Sequence, residues 1–406
     1  MSSIRKGFIS LCIPLVALLI VVSGCENPGN VGGGLVNNSE LVYDTLAFSG
    51  IDEIQLNGYS GGTNLLPVGR YHDPVYGKIS VRSLVKPSFQ TRTSNQDVID
   101  ENYSMKLVLN FDSLQVYGDT LAQTNFTVYE VNSAWRGSDW KIGDEFSYDQ
   151  GNPIGAFTLA NEDTIEIDLA DSWKEKYAVY FNNDSTENLD SLYNNNFHGL
   201  ALIPDSASSK VKFANMPVNF MLHNTEDTVT IAARDWGYTV NRSEVSLPEN
   251  TLAIHNTLEN VIRIDTASLN LKELKNKPYT RVVLELQEAS EALDQSIGIS
   301  EVRPYLGGLR MDAGSGLDLL YELQFSELSG RDDVTAIRDT TENKFRFNIT
   351  SLVNNYIFGS LDSEYIYIST GSETGLLLSA LLYNKDAEEG LKPKLIITSL
   401  SEEEGQ

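Results

Sequence analysis

Hydrophobic and polar positions alternate in short runs along most of the chain after residue 40. Apolar or β-branched residues stand at every second position, and clusters of Asp, Asn, Gly and Ser separate the runs. This period of two is typical of β-strands with one buried face. Many short strands without a long helical period predict an all-β fold, a sandwich or a jelly roll. Residues 44–58 alternate as a first strand pair, and from Met105 a regular set of strands is predicted at 105–111, 126–131, 154–159, 164–169, 199–204, 210–214 and 219–224.

A second set of strands follows at a nearly constant distance. Its members are 280–286, 297–306, 319–325, 345–350, 365–370, 375–383 and 393–400. Matching strands begin at Met105 and Thr280, Thr164 and Phe345, Gly199 and Tyr365, and Asn219 and Pro393, which gives offsets of 175, 181, 166 and 174. Such a repeat predicts one sandwich made twice. The expected fold is therefore two tandem jelly-roll-like β-sandwiches with short helical turns, over residues 41–235, which include a short N-terminal β segment, and 236–400.

In each set one strand runs into a short helix. The two segments are 165–173 and 345–356. Asp168 or Asn348, followed by Asp171 or Ser351, are the residues available to cap the helices.

The N-terminus carries an export signal. Arg5 and Lys6 precede an apolar run that ends in small residues before Cys25. Small residues at the two positions before a Cys resemble the lipobox of bacterial lipoproteins, which implies cleavage after residue 24 and lipidation of Cys25. A plain secretory signal and an N-terminal membrane anchor are the alternatives, and the apolar run is short for a bilayer span. Residues 25–40, rich in Gly, Asn and Pro, are expected to form a flexible tether.

Charge and cysteine content narrow the possible partners. The formal net charge is −26, or −28 without Arg5 and Lys6, which disfavours nucleic acid and electrostatic membrane docking.

The only other cysteine, Cys12, lies in the signal, so no internal disulfide is possible. Stability must come from burial. The acidic tail, 401–406, is expected to fray.

The most unusual stretch of the chain is 65–81. Asp73-Pro74 followed by Gly77 is turn chemistry between alternating flanks. Leu66, Gly69, Tyr71, Asp73, Pro74, Tyr76 and Gly77 resemble the signature of the DUF4270 family of Bacteroidetes-type lipoproteins, from which Pro67 departs. This resemblance implies an envelope lipoprotein and brings no established activity.

Parts of both sets are similar to carbohydrate-binding-module-like jelly rolls of the DNRLRE type. In the first set Tyr129-Glu130-Val131 is followed by Trp135. The second set has Val302, Pro304 and Tyr305 but no Trp. A ligand site that depends on a Trp equivalent to Trp135 is therefore in doubt in the second set.

Catalytic and metal motifs are weak. Gly58-Tyr59-Ser60-Gly61-Gly62 fits the Gly-x-Ser-x-Gly pattern, but a glycine turn accounts for it better because no helix follows. The four histidines are too far apart for a zinc motif. Asp184, Glu187 and Asp190 are weak calcium candidates in an acidic loop, for which a solvated loop is the favoured interpretation. Paired carboxylates leave a glycoside hydrolase as the weakest alternative.

Tryptophans supply the best ligand candidates. Trp135, Trp140, Trp173 and Trp236 could stack on sugar faces, although a core role is more common in a sandwich. Trp140, beside Asp139 in a polar run, is the one expected to be exposed. We therefore expect a lipid-anchored protein, most simply of the outer membrane, that binds or scaffolds without catalysis and needs no cofactor. Glycans are the first ligand class and an envelope protein partner is the alternative.

Overall fold

The structure is a computed structural model that describes residues 41–48, 50–183, 188–293, 304–309, 320, 334–339, 341–359, 365–370 and 375–400. Antiparallel strands dominate it, as the alternation predicts. The strands of the first half are β1 (Leu41–Ala47), β2 (Ile51–Gln55), β3 (Leu65–Asp73), β4 (Gly77–Pro87), β5 (Ser104–Gly118), β6 (Thr124–Val131), β7 (Tyr148–Leu159), β8 (Thr164–Leu169), β9 (Leu200–Pro204), β10 (Lys210–Asn215), β11 (Asn219–His223) and β12 (Thr228–Ser243).

The second half contributes further strands and both halves carry short helices. The strands are β13 (Thr251–His255), β14 (Asn260–Asp265), β15 (Tyr279–Gln287), β16 (Pro304–Leu309), β17 (Val334–Thr335), β18 (Ile337–Asp339), β19 (Lys344–Asn348), β20 (Tyr365–Thr370), β21 (Ser379–Tyr383) and β22 (Lys394–Leu400). The α-helices are α1 (Asp171–Phe181), α2 (Leu189–Asn196), α3 (Ser290–Leu293) and α4 (Thr350–Phe358), and 3-10 turns span Gly137–Asp139, Thr266–Leu269 and Leu271–Asn276.

The first sandwich is built from β3 to β12. Its two long strands serve both layers: β5 pairs with β8 and β11 over its first half and with β10 over its second half. β12 likewise pairs first with β11 and then with β4. The pairings β10–β3, β3–β4, β4–β9, β9–β6 and β6–β7 complete the sheet. Alternate side chains of these strands fill one large core, which includes Trp173 and Tyr177 of α1.

The stretch that resembles the DUF4270 signature forms the β3–β4 hairpin. The Asp73 carboxylate accepts the backbone N–H groups of Val75 and Tyr76, both at 2.8 Å, which closes the turn over Pro74. Gly77 has a φ of +75°, and a Cβ there would meet the Ser243 carbonyl at 2.3 Å. The turn therefore needs Asp and Gly at these two positions.

The second sandwich repeats the pairings of the first. The order β19–β15–β22–β1 matches β8–β5–β11–β12, and β2–β14–β20–β16–β17 matches β12–β4–β9–β6–β7. The pair β13–β21 matches β3–β10. The four strand matches predicted from the offsets are β5 with β15, β8 with β19, β9 with β20 and β11 with β22. In each match the two strands hold the same position in their sandwich. The duplicated β-sandwich is therefore confirmed.

The structure differs from the predicted boundaries at two places. β1 pairs with β22 and β2 pairs with β14, so the N-terminal segment completes the second sandwich and does not belong to the first. β12 continues past residue 235 and pairs with β4 as far as Ser243. The first sandwich is thus inserted between β2 and β13. Strand pairing is non-local, and the local pattern of 41–58 does not reveal its partner.

The strand-to-helix step occurs in both sandwiches, as β8 into α1 and β19 into α4. The predicted caps do not form as expected, because the N-cap residues are Ala170 and Ile349 without a side-chain bond. Asn348 accepts the Thr350 backbone N–H at 3.3 Å, while Asp171 contacts the Lys174 ammonium at 3.1 Å. Predicted strand 319–325 lies outside the described residues except for Leu320, and β12, β13 and β14 were not predicted.

Candidate functional site

Three of the four tryptophans proposed as ligand contacts are buried, and the fourth, Trp236, is partly buried and donates its indole N–H to the Thr63 carbonyl at 2.8 Å. Trp135 and Trp140 are 7 % exposed and Trp173 is 1 % exposed. Trp173 projects from α1 into the first core, with its ring 5.0 Å from that of Phe197 and 5.9 Å from that of Phe220. The expectation that Trp140 is exposed is therefore wrong.

The polar run around Trp140 explains this difference. Its turn, Gly137–Asp139, docks on β12, where the Gly137 N–H donates to the Asp235 carboxylate at 3.1 Å. The Trp140 ring lies against Gly237, where a Cβ would meet ring atom Cδ1 at 2.7 Å. Asp139 stays exposed. The run is thus polar because its backbone lies at the surface, while the indole points inward.

A second, smaller hydrophobic cluster lies on the outer face of the β4–β9–β6 sheet. Leu84 and Ala201 are opposite each other across β4 and β9, and their neighbours Val85 and Leu200 point into the main core. The residues between β6 and β7 cover this outer face with Trp135 and Trp140. The Trp135 indole N–H donates to the His198 carbonyl at 2.7 Å. These indoles are therefore structural.

A row of partly exposed aromatic rings continues from this cluster to the surface. The ring centroids of Trp140 and Phe146 are 6.2 Å apart, those of Phe146 and Tyr148 5.6 Å, and those of Tyr148 and Tyr129 5.0 Å. Tyr129, Phe146 and Tyr148 are each partly exposed. We call these three residues the aromatic row. The pairing of β6 with β7 brings Tyr148 opposite Val131 and so assembles the row.

Polar groups surround the aromatic row. The Arg82 guanidinium lies over the Phe146 ring, 5.0 Å from its centroid. Gln150 donates to the Tyr148 hydroxyl at 3.4 Å. Glu130, next to Tyr129 in sequence, is opposite Leu200 and so lies on the other face of the sheet, where it pairs with Lys176 at 2.5 Å. Apolar ring faces beside hydrogen-bonding groups are the arrangement that binds sugar rings and their hydroxyls.

The other sequence candidates have structural roles or lie outside the described residues. Ser60 is fully buried, and its hydroxyl donates to the Tyr238 carbonyl at 2.6 Å, as a turn residue does. Of the calcium candidates, Asp184 and Glu187 lie outside the described residues, and Asp190 pairs with Arg234 at 3.0 Å. Within the described ranges, no group of three His, Cys, Asp or Glu side chains is arranged to hold a metal ion.

A buried polar network joins the two sandwiches and was not predicted. Arg242 of β12 donates to both carboxylate oxygens of Glu259 at 2.9 Å. His255 Nδ1 lies 2.7 Å from the Ser379 hydroxyl. Burial, aided by the Arg242 charge, lowers the pKa of His255 to about 3. Burial raises the pKa of Glu259, but Arg242, His255 and Thr257 outweigh it and leave the pKa lowered. His255 and Ser379 are both buried, so the network is structural.

An acidic cleft lies at one end of the second sandwich. It has a volume of about 450 Å³ and lies among the start of β13, the end of β15 and the β21–β22 connection. Its lining includes Glu249, Glu288, Glu291 and Glu388. These carboxylates meet only the coarsest requirement of a hydrolase, a pair of acids beside a cavity.

β1 is an edge strand with unusual exposure. Among the described strands it pairs with β22 alone, and all seven of its side chains are exposed. Leu41, Val42, Tyr43 and Leu46 are among them. An apolar edge strand of this kind is a ready docking surface. Among the described residues no helix is both long and apolar enough to cross a bilayer.

Comparison with known proteins adds no assignment to this geometry. No protein-family model matches the chain, and no curated protein matches it in sequence. The resemblances to the DUF4270 family and to DNRLRE-type jelly rolls therefore stay predictions, and function must be argued from the residues.

Proposed function

We propose that this protein is a lipid-anchored component of the cell envelope, most simply of the outer membrane, that binds a glycan without catalysis of its own. The anchor is the lipid on Cys25. The binding surface is the aromatic row of the first sandwich. The observation that carries the proposal is the line of three partly exposed rings, spaced 5.6 and 5.0 Å apart, on the outer face of a sheet.

The geometry of the row favours a particular kind of glycan. Neighbouring ring planes differ by 37° between Phe146 and Tyr148 and by 40° between Tyr148 and Tyr129. Sugar rings stack face to face on aromatic rings, so each ring orients its sugar differently. A twisted, soluble chain fits this surface, whereas a flat crystalline polysaccharide does not. The hydroxyls of the chain would bond to Gln150 and to the tyrosine hydroxyls.

The buried cluster beneath the row supports its role. Trp135 and Trp140 hold the residues between β6 and β7 against the sheet, so Phe146 and Tyr148 are fixed before a ligand arrives. A preformed site loses less entropy on binding. The Arg82 guanidinium further fixes the Phe146 ring from one side.

Glycan-array binding of the soluble body, residues 41–406, tests this function. We expect binding to soluble polysaccharides, and we expect the double variant Tyr129→Ala/Tyr148→Ala to lose most of it. The matched control is Tyr43→Ala, which removes an exposed tyrosine from the second sandwich and should bind as the native chain does. A silent array, or equal binding by the double variant, would refute the assignment of the row.

The rival function is an assembly or adhesion factor that recognises protein. It needs an apolar or edge-strand patch, and β1 provides one. The hydrolase alternative is tested with the same glycans: release of reducing ends that Glu291→Gln/Glu388→Gln abolishes would replace the binding proposal.

A further inference from the structure

The exposed edge of the second sandwich lies where the tether reaches the folded body. Leu41 is the first described residue and opens β1. Fifteen residues of the predicted tether separate it from Cys25. Since β1 and β2 complete the second sandwich, the lipid anchor is attached to the second sandwich and not to the first.

The end of the sheet that receives the tether is apolar at its surface. Leu41 is 53 % exposed, Val42 42 % and Tyr43 64 %. Leu41 is paired with Leu400 at the end of β22, which is 41 % exposed. Exposed leucine and tyrosine together suit the boundary between lipid headgroups and acyl chains.

Basic residues flank these apolar side chains. The ten residues 272–281 contain four basic residues and one acid in a chain of net charge −26. Lys272, Lys275, Lys277 and Arg281 are all exposed.

This basic segment reaches the same end of the sheet. Thr398 is paired with Tyr43 on one side and with Arg281 on the other, so the three side chains form one row on one face. The Leu400 N–H donates to the Pro278 carbonyl at 3.4 Å, which places Lys277 beside Leu400. Basic and apolar side chains therefore meet at this end, whereas the net charge of −26 disfavours membrane docking of the rest of the body.

We propose that this surface rests on the bilayer that holds the lipid anchor. The surface, which we call the basal end, consists of Leu41, Val42, Tyr43, Leu400, Lys277 and Arg281. Its partner is an anionic lipid headgroup region, because the charges attract the headgroups and the apolar side chains enter the interface. The inference rests on the lipid anchoring in the proposed function. The second sandwich is then proximal to the membrane, and the first carries the aromatic row without an anchor of its own.

Quenching of single labels by lipid tests the contact in the mature lipidated chain. Mature protein has no cysteine besides Cys25, whose sulfur carries the lipid, so an added cysteine is labelled alone. The variants are Thr45→Cys in β1 and, as the control, Leu121→Cys, which is 83 % exposed in the first sandwich. In vesicles of phosphatidylcholine with phosphatidylglycerol and headgroup-quencher lipids, we expect the label at 45 to be quenched several-fold more than the label at 121.

Charge variants sharpen this test. Replacing Lys277 and Arg281 by Gln should weaken association with phosphatidylglycerol about fivefold for each charge removed. Removing the acidic residues 402–404, which follow Leu400 in the chain, should strengthen it. Salt at about 1 M should reduce quenching at 45, since the Debye length is then ~3 Å.

The possible failures are distinguishable. If the protein does not sediment with vesicles at all, the lipid anchoring itself is wrong. If it sediments but the two labels are quenched equally, only the basal-end inference is overturned. If the label at 45 is shielded from lipid and the cysteines at 45 of two copies cross-link, the β1 edge binds protein. The basal-end inference is then overturned in favour of the rival function.

Discussion

The two sandwiches have equivalent edge strands, but different parts of the chain supply them. In the first, one continuous strand, β12, pairs with β11 and then with β4. In the second, β1 and β2 share this task from the other end of the chain. β12 buries Val229 and Ile231, whereas every side chain of β1 is exposed. A shared topology therefore does not fix how much a strand contributes to the core.

β12 both buries side chains in the core and pairs its backbone with neighbouring strands, whereas in the second sandwich different segments perform these two roles. β2 and the residues just before it supply the burial, since Phe48 and Ile51 enter the second core. β1 supplies backbone pairing with β22 over seven residue pairs and presents its side chains to the surroundings. This division leaves β1 available for an interaction, which β12 is not.

The largest effect is expected where the second closing segment enters the core. Phe48→Ala should destabilise the second sandwich by about 3–5 kcal/mol, because a buried aromatic ring leaves a cavity. Urea denaturation followed by near-ultraviolet circular dichroism measures the loss. Phe358→Ala, which removes a 61 % exposed ring at the end of α4 in the same sandwich, is the matched control and should change stability by less than about 0.5 kcal/mol. Equal effects would mean that the N-terminal segment does not hold the sandwich closed.

A second pair of variants compares the two closing strands directly. Ile231→Ala in β12 should cost about 3 kcal/mol, because Ile231 is 1 % exposed in the first core. Leu46→Ala in β1 should cost less than about 1 kcal/mol, since that side chain is 39 % exposed. Both residues pair with core residues of the next strand, Phe220 and Leu395. A similar loss for both would show that β1 is covered in solution.

Acid should weaken the junction between the sandwiches. The pKa of His255 is about 3 in the folded chain and about 6.5 in the unfolded one. The unfolded state therefore binds more protons below pH 6.5, and stability falls as the pH falls. Between pH 7 and pH 5 the expected loss is about 2 kcal/mol. The lowered pKa of Glu259 acts in the same direction at lower pH.

Denaturation of native and His255→Gln chains at several pH values measures this contribution. The variant should lose most of the dependence between pH 7 and pH 5. His72→Gln, which replaces an exposed histidine of the β3–β4 hairpin, should keep it. An unchanged slope in the His255 variant would mean that His255 is not held neutral.

Much of the fold follows from local sequence pattern. β8 begins and ends where the alternation predicts, at Thr164 and Leu169. The Asp73-Pro74 turn follows from side-chain and backbone chemistry within four residues. The duplication is visible because both copies keep the same order and spacing of strands. These features depend on near neighbours in the chain, so the sequence reveals them.

The remaining features depend on distant contacts. The segment 41–58 has the pattern of a strand pair in either sandwich, and only pairing with β22 and β14 decides between them. The inward turn of Trp140 depends on Gly237, nearly a hundred positions away. The aromatic row joins Tyr129 to Tyr148 through the β6–β7 pairing. Tyr129, inside predicted strand 126–131, and Tyr148, before predicted strand 154–159, are the one sequence signal for it.

The smallest effect concerns Tyr43, the single aromatic residue of β1. Tyr43→Thr should change the free energy of unfolding by less than about 0.5 kcal/mol, because the ring is 64 % exposed and β1 is held by its backbone. Tyr238→Thr, in the other closing strand, removes a ring that is 2 % exposed and should cost several kcal/mol. Thermal unfolding of the soluble body measures both. A loss above about 1 kcal/mol for Tyr43→Thr would show that this ring packs against the protein, and the side chains of β1 would then no longer be available to a bilayer.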